Sequence, residues 1–144
     1  MSVASKDDRP KPLHLTHGTF AEDAACDWLL SKGFVIVARN IRYRFGEIDI
    51  IAKDKEILCF VEVRSRQNTQ YGTPQASIRQ QKQSRLIKAA SLYLKQNYPR
   101  LPFCRFDVIA ITGYDAEAKI EYIPNAFEMA NEPRKRRGSP WQAY

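Results

Sequence analysis

Apolar residues recur at helical spacing soon after residue 18, where Phe20, Ala21, Ala24, Ala25, Trp28 and Leu29 fall on one stripe. Thr19 with Glu22 three residues on has the form of a capping box, and Gly33 stands where a helix would end in a left-handed turn. The period then changes. Phe34 to Arg39 is a β-branched run expected to form a strand, with Asn40-Ile41-Arg42-Tyr43-Arg44 as a basic turn after it. Two further strands are expected over Gly46 to Ala52 and Ile57 to Arg64; the charged connection around Lys53, Asp54 and Lys55 is short enough for a hairpin. Gln67 to Pro74 is polar and reads as an exposed loop. From Ala76 to about Asn97 the spacing predicts a long helix, with Ile78, Leu86, Ala89, Ala90, Tyr93 and Leu94 inward and Arg79, Lys82, Arg85 and Lys88 largely elsewhere. Pro99 ends it. Arg105 to Ile111 and Ile120 to Ile123 supply the last strands, and a strand that follows a crossover helix is most simply parallel to an earlier one. The pattern is therefore α/β, with one sheet and helices against it.

Composition narrows the class. The 144 residues, 44% of them apolar, suffice for one ordinary core and not for two. The formal charge of +7 suggests a polyanionic partner, but it is unevenly spread. Residues 131–144 hold Arg134, Lys135, Arg136 and Arg137 against Glu132, and the part between the termini is only mildly basic. The expected organisation is a flexible arm over 1–17, a domain over 18–130 and a basic tail over 131–144. Cys26, Cys59 and Cys104 are odd in number and lie in segments of core character, so reduced thiols and a cytoplasmic setting are expected. No apolar run reaches the roughly 18 residues that span a bilayer, so no membrane partner is expected.

The chemistry concentrates in the hairpin. Alternation places Glu47 and Asp49 on one face of its first strand, with Ile48 and Ile50 on the other, and Glu62 and Arg64 share a face with Phe60 in the second. A two-residue turn at Asp54 and Lys55 would set Glu47 opposite Glu62 and Asp49 diagonal to it. Like charges facing each other inside apolar runs require a cation. Oxygen-only donors suit a hard divalent ion such as Mg2+ or Mn2+, which neutralises acids, polarises a phosphoryl oxygen and acidifies a bound water. Arg64 would aim a fixed positive charge at the same place. The substrate that fits is an anionic phosphodiester.

The ordered set GEIDIIA at 46–52, FVEVRSR at 60–66, YGTP at 71–74, Lys82 and RFDV at 105–108 resembles the YraN family of small bacterial proteins, over about Gly18 to Ile111. That family is similar to the restriction-endonuclease-like nucleases of PD-(D/E)XK signature, archaeal Holliday junction resolvases especially. The resemblance implies a restriction-endonuclease-like fold, a central mixed sheet flanked by helices, and metal-dependent cleavage of nucleic acid, DNA above all and branched DNA in the resolvase case. It makes Asp49 the motif aspartate, Glu62 the motif glutamate and Glu22 the added acid of the metal site. Arg64 stands where the signature has lysine; arginine stays protonated, so it can position water and stabilise phosphate charge but not take a proton. The proline that precedes the motif aspartate in many relatives is Ile48 here. A resolvase cuts two strands, so a symmetric homodimer follows if that analogy holds.

The expected site therefore comprises Asp49, Glu62 and Arg64 for catalysis; Asp49, Glu62, Glu47 and Glu22 for the ion; and Arg42, Arg44, Arg66 and Lys82 for the nucleic-acid backbone. Plainer roles stand beside these. Glu22 serves equally as the partner of Thr19 in the capping box, Glu47 as an ion-pair partner of Arg42, Arg44 or Arg64, and the α-helical cations as a wet helix face. Tyr71 is an ordinary surface tyrosine or a base-stacking residue, and Asp107 a structural partner of Arg105. His14 and His17 lack the cysteines of a zinc site. Two rivals to the nuclease are a binding protein that kept the fold without turnover, and an interaction module docking its basic tail on an acidic protein.

Overall fold

The computed structural model describes residues 17–66, 80–113 and 115–128. Seven elements follow in chain order: α1 (His17–Ser31), β1 (Val35–Tyr43), β2 (Gly46–Asp54), β3 (Ile57–Arg66), α2 (Gln80–Asn97), β4 (Phe103–Thr112) and β5 (Lys119–Phe127). The expected arm up to residue 16, the basic tail, the loop with Tyr71, and Ile78 and Arg79 lie outside the described residues, while His17, counted with the arm, opens α1. Among those described, no helix is long and apolar enough to cross a membrane.

The strands form one sheet in the order β1-β2-β3-β4-β5. Only β3 and β4 run parallel, joined through α2 as the crossover rule predicts; every other neighbour is antiparallel. The architecture is α/β, a five-stranded mixed sheet flanked by two helices, and it is compatible with a restriction-endonuclease-like fold. α1 covers one face, where Ala21, Ala25 and Leu29 meet Ile50, Ala52, Cys59, Val61, Ile109 and Ile111. α2 covers the other through Leu86, Ala89, Ala90, Tyr93 and Leu94, packed on Ile48, Ile51, Leu58, Phe60 and Phe106. Those five inward positions of α2 are among the ones its periodicity marked.

Several boundaries differ from the sequence expectation. α1 begins at His17, so Thr19 lies inside its first turn and not at the N-cap position expected of it. Its far end does follow the expectation. Gly33 has φ +90°, its amide donates to Leu30 C=O (3.0 Å) and that of Phe34 to Leu29 C=O (3.0 Å), which is a Schellman closure. β1 continues through Asn40, Ile41 and Arg42 to Tyr43, and the turn comes only at Arg44 and Phe45. Pairing with β2 outweighs the polar, turn-like composition of that stretch.

Candidate functional site

The β2–β3 hairpin turns at Lys55 and Glu56, with Lys55 at φ +58°, one residue later than expected. Asp54 therefore pairs with Ile57 and Ile50 with Val61, and the same register continued sets Asp49 directly opposite Glu62, not diagonal to it. At that point the two strands part. Backbone pairing between β2 and β3 stops at Ile50 and Val61; beyond it β2 keeps only β1 (Ile41 with Ile48, Arg42 with Glu47), and β3 keeps only β4 (Glu62 with Val108 onward). The sheet forks, and the two acids stand in the fork.

Asp49 helps hold the fork open. Its Oδ2 accepts the Val63 amide at 2.9 Å, replacing the strand partner which that amide lacks on this side. Across the hairpin Asn40 adopts φ +53°, a conformation asparagine tolerates better than most residues. Asn40 and Asp49 drop out of the β1–β2 ladder between Arg39–Ile50 and Ile41–Ile48. Strict alternation fails here as a result: Ile48 packs under α2 and Ile50 under α1, where the sequence had placed both on one face. Asn40 was read as the start of a turn; an asparagine interrupting a β-branched run was the available sign of a strand irregularity.

Asp49 is 8% and Glu62 3% exposed, and their carboxyl groups are near enough to share a hydrogen bond. Burial raises both from their ordinary values; for Glu62, burial and the charge of Asp49 together push it to about 7. Two cations oppose that rise. Lys82, on the first turn of α2, places Nζ 2.5 Å from Glu62 Oε2, and the charge of Arg64 acts on the same carboxyl. The buried Oε2 thus has the Lys82 ammonium against it as a close charge pair.

The remaining expected residues are distributed around the fork. Glu22, on the inner side of α1, is raised first by burial and then by the charge of Asp49; Asn40 hydrogen-bonds to it and Arg39 lies 3.9 Å away. Arg39 also donates to Asp23 at 2.7 Å, an anchor between α1 and β1 that sequence reasoning missed because its partners are 16 residues apart or more. Glu47 is exposed and pairs with Arg42 at 3.5 Å, one of the plainer roles foreseen for it. Arg44 is exposed at the β1–β2 turn, and the side chain of Arg66 lies outside the described residues. Among the described residues, no three His, Cys, Asp or Glu side chains converge tightly enough to hold a metal ion by themselves. The acids that meet are two, Asp49 and Glu62, with Glu22 felt by Asp49 from α1 and Glu47 at the rim.

Residues 21–111 match Uncharacterised protein family UPF0102. The chain belongs to this family. Among its UPF0102 relatives, the protein of Symbiobacterium thermophilum is 45% identical over 111 residues, covering 76% of this chain and 94% of the relative. That of Trichlorobacter lovleyi is 44% identical, covering 78% and 91%, and that of Prosthecochloris aestuarii 46% identical, covering 76% and 91%. The matched UPF0102 region takes in α1 from Ala21, the forked hairpin, α2 and β4 through Ile111, and so includes Glu22, Asp49, Glu62 and Lys82.

A second buried acid marks the other side of the sheet. Asp107 is wholly buried and faces a bulge of β5, whose residues 124–126 stand against it between the pairs Phe106–Phe127 and Val108–Ile123. It accepts from Arg105 Nε (3.0 and 3.2 Å), from the Tyr122 hydroxyl (2.6 Å) and from the Asn125 amide (2.9 Å). Arg105 donates in turn to Tyr122 and Asp54. With its charge paired and its oxygens satisfied, this acid is structural, and its pairing with Arg105 is the one expected.

Proposed function

We infer that the fork is a site of metal-dependent phosphodiester hydrolysis on DNA, in the cytoplasm, with branched DNA the foremost substrate. The observation that carries this reading is the juxtaposition of Asp49 and Glu62 where β2 and β3 separate, with a buried Glu62 oxygen that has drawn in a lysine ammonium. A buried carboxyl oxygen that already holds a cation, beside a second carboxylate, is the donor chemistry a hard divalent cation requires. Asp49 and Glu62 would hold Mg2+ or Mn2+, with Glu22 and Glu47 contributing from α1 and the rim. When bound, the ion would polarise a phosphoryl oxygen and generate a hydroxide-like water.

The chain's own cations then divide the work. Arg64 binds the phosphate or orients water, and its guanidinium keeps its proton. Lys82 is an amine beside Glu62 and, unlike the guanidinium of Arg64, a group of the kind that could exchange a proton with water. Arg42, Arg44, Arg66 and Lys82 hold the sugar-phosphate chain. A symmetric homodimer would bring two such forks to one junction.

The second reading, a nucleic-acid-binding protein without turnover, draws on the same contact: the Lys82 ammonium already neutralises Glu62, and arginine stands at the signature lysine. Cleavage of junction, flap and linear DNA with Mg2+ or Mn2+ separates the two. Cutting by the wild type that is lost in Asp49→Ala and Glu62→Ala is expected; salt-sensitive binding with no mutant-sensitive cutting overturns hydrolysis in favour of binding. Absence of DNA affinity at low salt overturns both in favour of an interaction module.

A further inference from the structure

Beyond the acids, the β1–β2 turn presents an arrangement that no step of hydrolysis uses. Tyr43 and Phe45 stack with ring centroids 5.8 Å apart and planes inclined by only 10°, and Phe45 remains 39% exposed. Arg42 precedes the pair and is ion-paired to Glu47, Arg44 stands between the two aromatic residues in the chain, and both arginines are exposed. The pair is braced from behind: Tyr43 donates its hydroxyl to Gln96 of α2 at 3.1 Å, and the next residue, Gly46, packs so closely on α2 that a Cβ there would lie 3.2 Å from Arg85 Cβ and the Arg85 carbonyl oxygen. An exposed phenylalanine on a rigid support, at the tip of a turn and next to Arg44, is not explained by packing.

Its position relative to the fork is set by the chain. Phe45 precedes Asp49 by four residues, roughly 13 Å along an extended strand, and that span equals about four stacked nucleotides at 3.4 Å each. α2 runs alongside, carrying Lys82 at Glu62 and, one turn on, Arg85 at Gly46. α2 thus spans from the acids, where Lys82 sits, to the turn that carries the aromatic pair, where its backbone meets Gly46.

We propose that Tyr43 and Phe45 form a stacking platform for an unpaired nucleobase, so that the protein engages nucleic acid having a single-stranded segment a few nucleotides from the phosphate at the fork. The placement of that phosphate rests on the reading of Asp49 and Glu62 given above, whereas the platform itself is tested by binding alone. Phe45 supplies the face, Tyr43 fixes its plane, and Arg42 and Arg44 neutralise the neighbouring phosphates. Duplex ends, whose bases are already stacked, gain nothing from it.

The full-length chain, with Ca2+ in place of Mg2+ or Mn2+ to suppress cutting, is titrated with oligodeoxynucleotides carrying 2-aminopurine, either unpaired beside a duplex or within one. Quenching of the unpaired probe alone is expected on binding to the wild type. Phe45→Ala is expected to lose roughly tenfold in affinity for the single-stranded segment with duplex affinity unchanged, and Phe45→Trp to restore it. Equal quenching of paired and unpaired probes, equal losses on both substrates, or no loss at all would overturn the platform. Mutant-sensitive cleavage at Asp49 and Glu62 would stand through any of those results, and loss of cleavage would leave a selective Phe45 effect intact, so the two readings fail separately.

Discussion

Replacing Glu62 with glutamine removes one ionisable proton from the fork while keeping nearly the same shape. In the metal-free protein Glu62 titrates near 7 against 4.5 for an unperturbed glutamate, because it is buried beside Asp49. A carboxyl raised on folding contributes its full stability below about pH 4.5 and loses it as pH rises through about 7. That displacement corresponds to roughly 3 kcal/mol. Relative to their difference at pH 4, Glu62→Gln should therefore gain on the wild type by up to about 3 kcal/mol by pH 8, on the order of 10 °C in Tm for a domain of this size. Thermal melts of both proteins in EDTA from pH 4 to pH 8 measure this directly. A divalent ion reverses the sign. At one hundred times its Kd, Mg2+ or Mn2+ should stabilise the wild type by about 2.7 kcal/mol and the variant far less. A difference that stays flat across pH would refute the buried, Asp49-opposed carboxyl, and equal stabilisation of both proteins by the ion would refute Glu62 as a ligand.

Lys82→Met removes the ammonium from Glu62, and NMR titration of that carboxyl in the absence of metal should find it raised further than in the wild type; an unchanged titration would mean that the pair contributes nothing in solution. Gly46→Ala inserts a methyl 3.2 Å from the Arg85 carbonyl, so α2 must retreat by a few tenths of an ångström, with a loss in chemical denaturation of about 1–3 kcal/mol; wild-type stability would show that the turn is free of the helix. Asp107→Asn leaves Arg105 without its buried counter-charge and should cost about 3–5 kcal/mol in the same assay, with no effect on metal binding at the fork; a loss under 1 kcal/mol would contradict the network.

The helices, the number of strands and the acids were legible in the chain because each depends on neighbours within a few residues. Leu86, Ala89, Ala90, Tyr93 and Leu94 follow the 3.6-residue period of α2, Gly33 carries the left-handed turn that closes α1, and carboxylates inside GEIDIIA and FVEV stand out against apolar surroundings. What tertiary structure decided is pairing. Moving the turn to Lys55 and Glu56 brings Asp49 opposite Glu62, Asn40 turns the pleat over so that Ile48 and Ile50 part company, and the fork exists because β2 and β3 each have a second neighbour to follow. The ammonium on Glu62 comes from a residue 20 positions away on another element. A one-residue slip in register exchanges the two faces of a strand at almost no local cost, so the choice belongs to the packing of both cores and not to any short stretch of sequence.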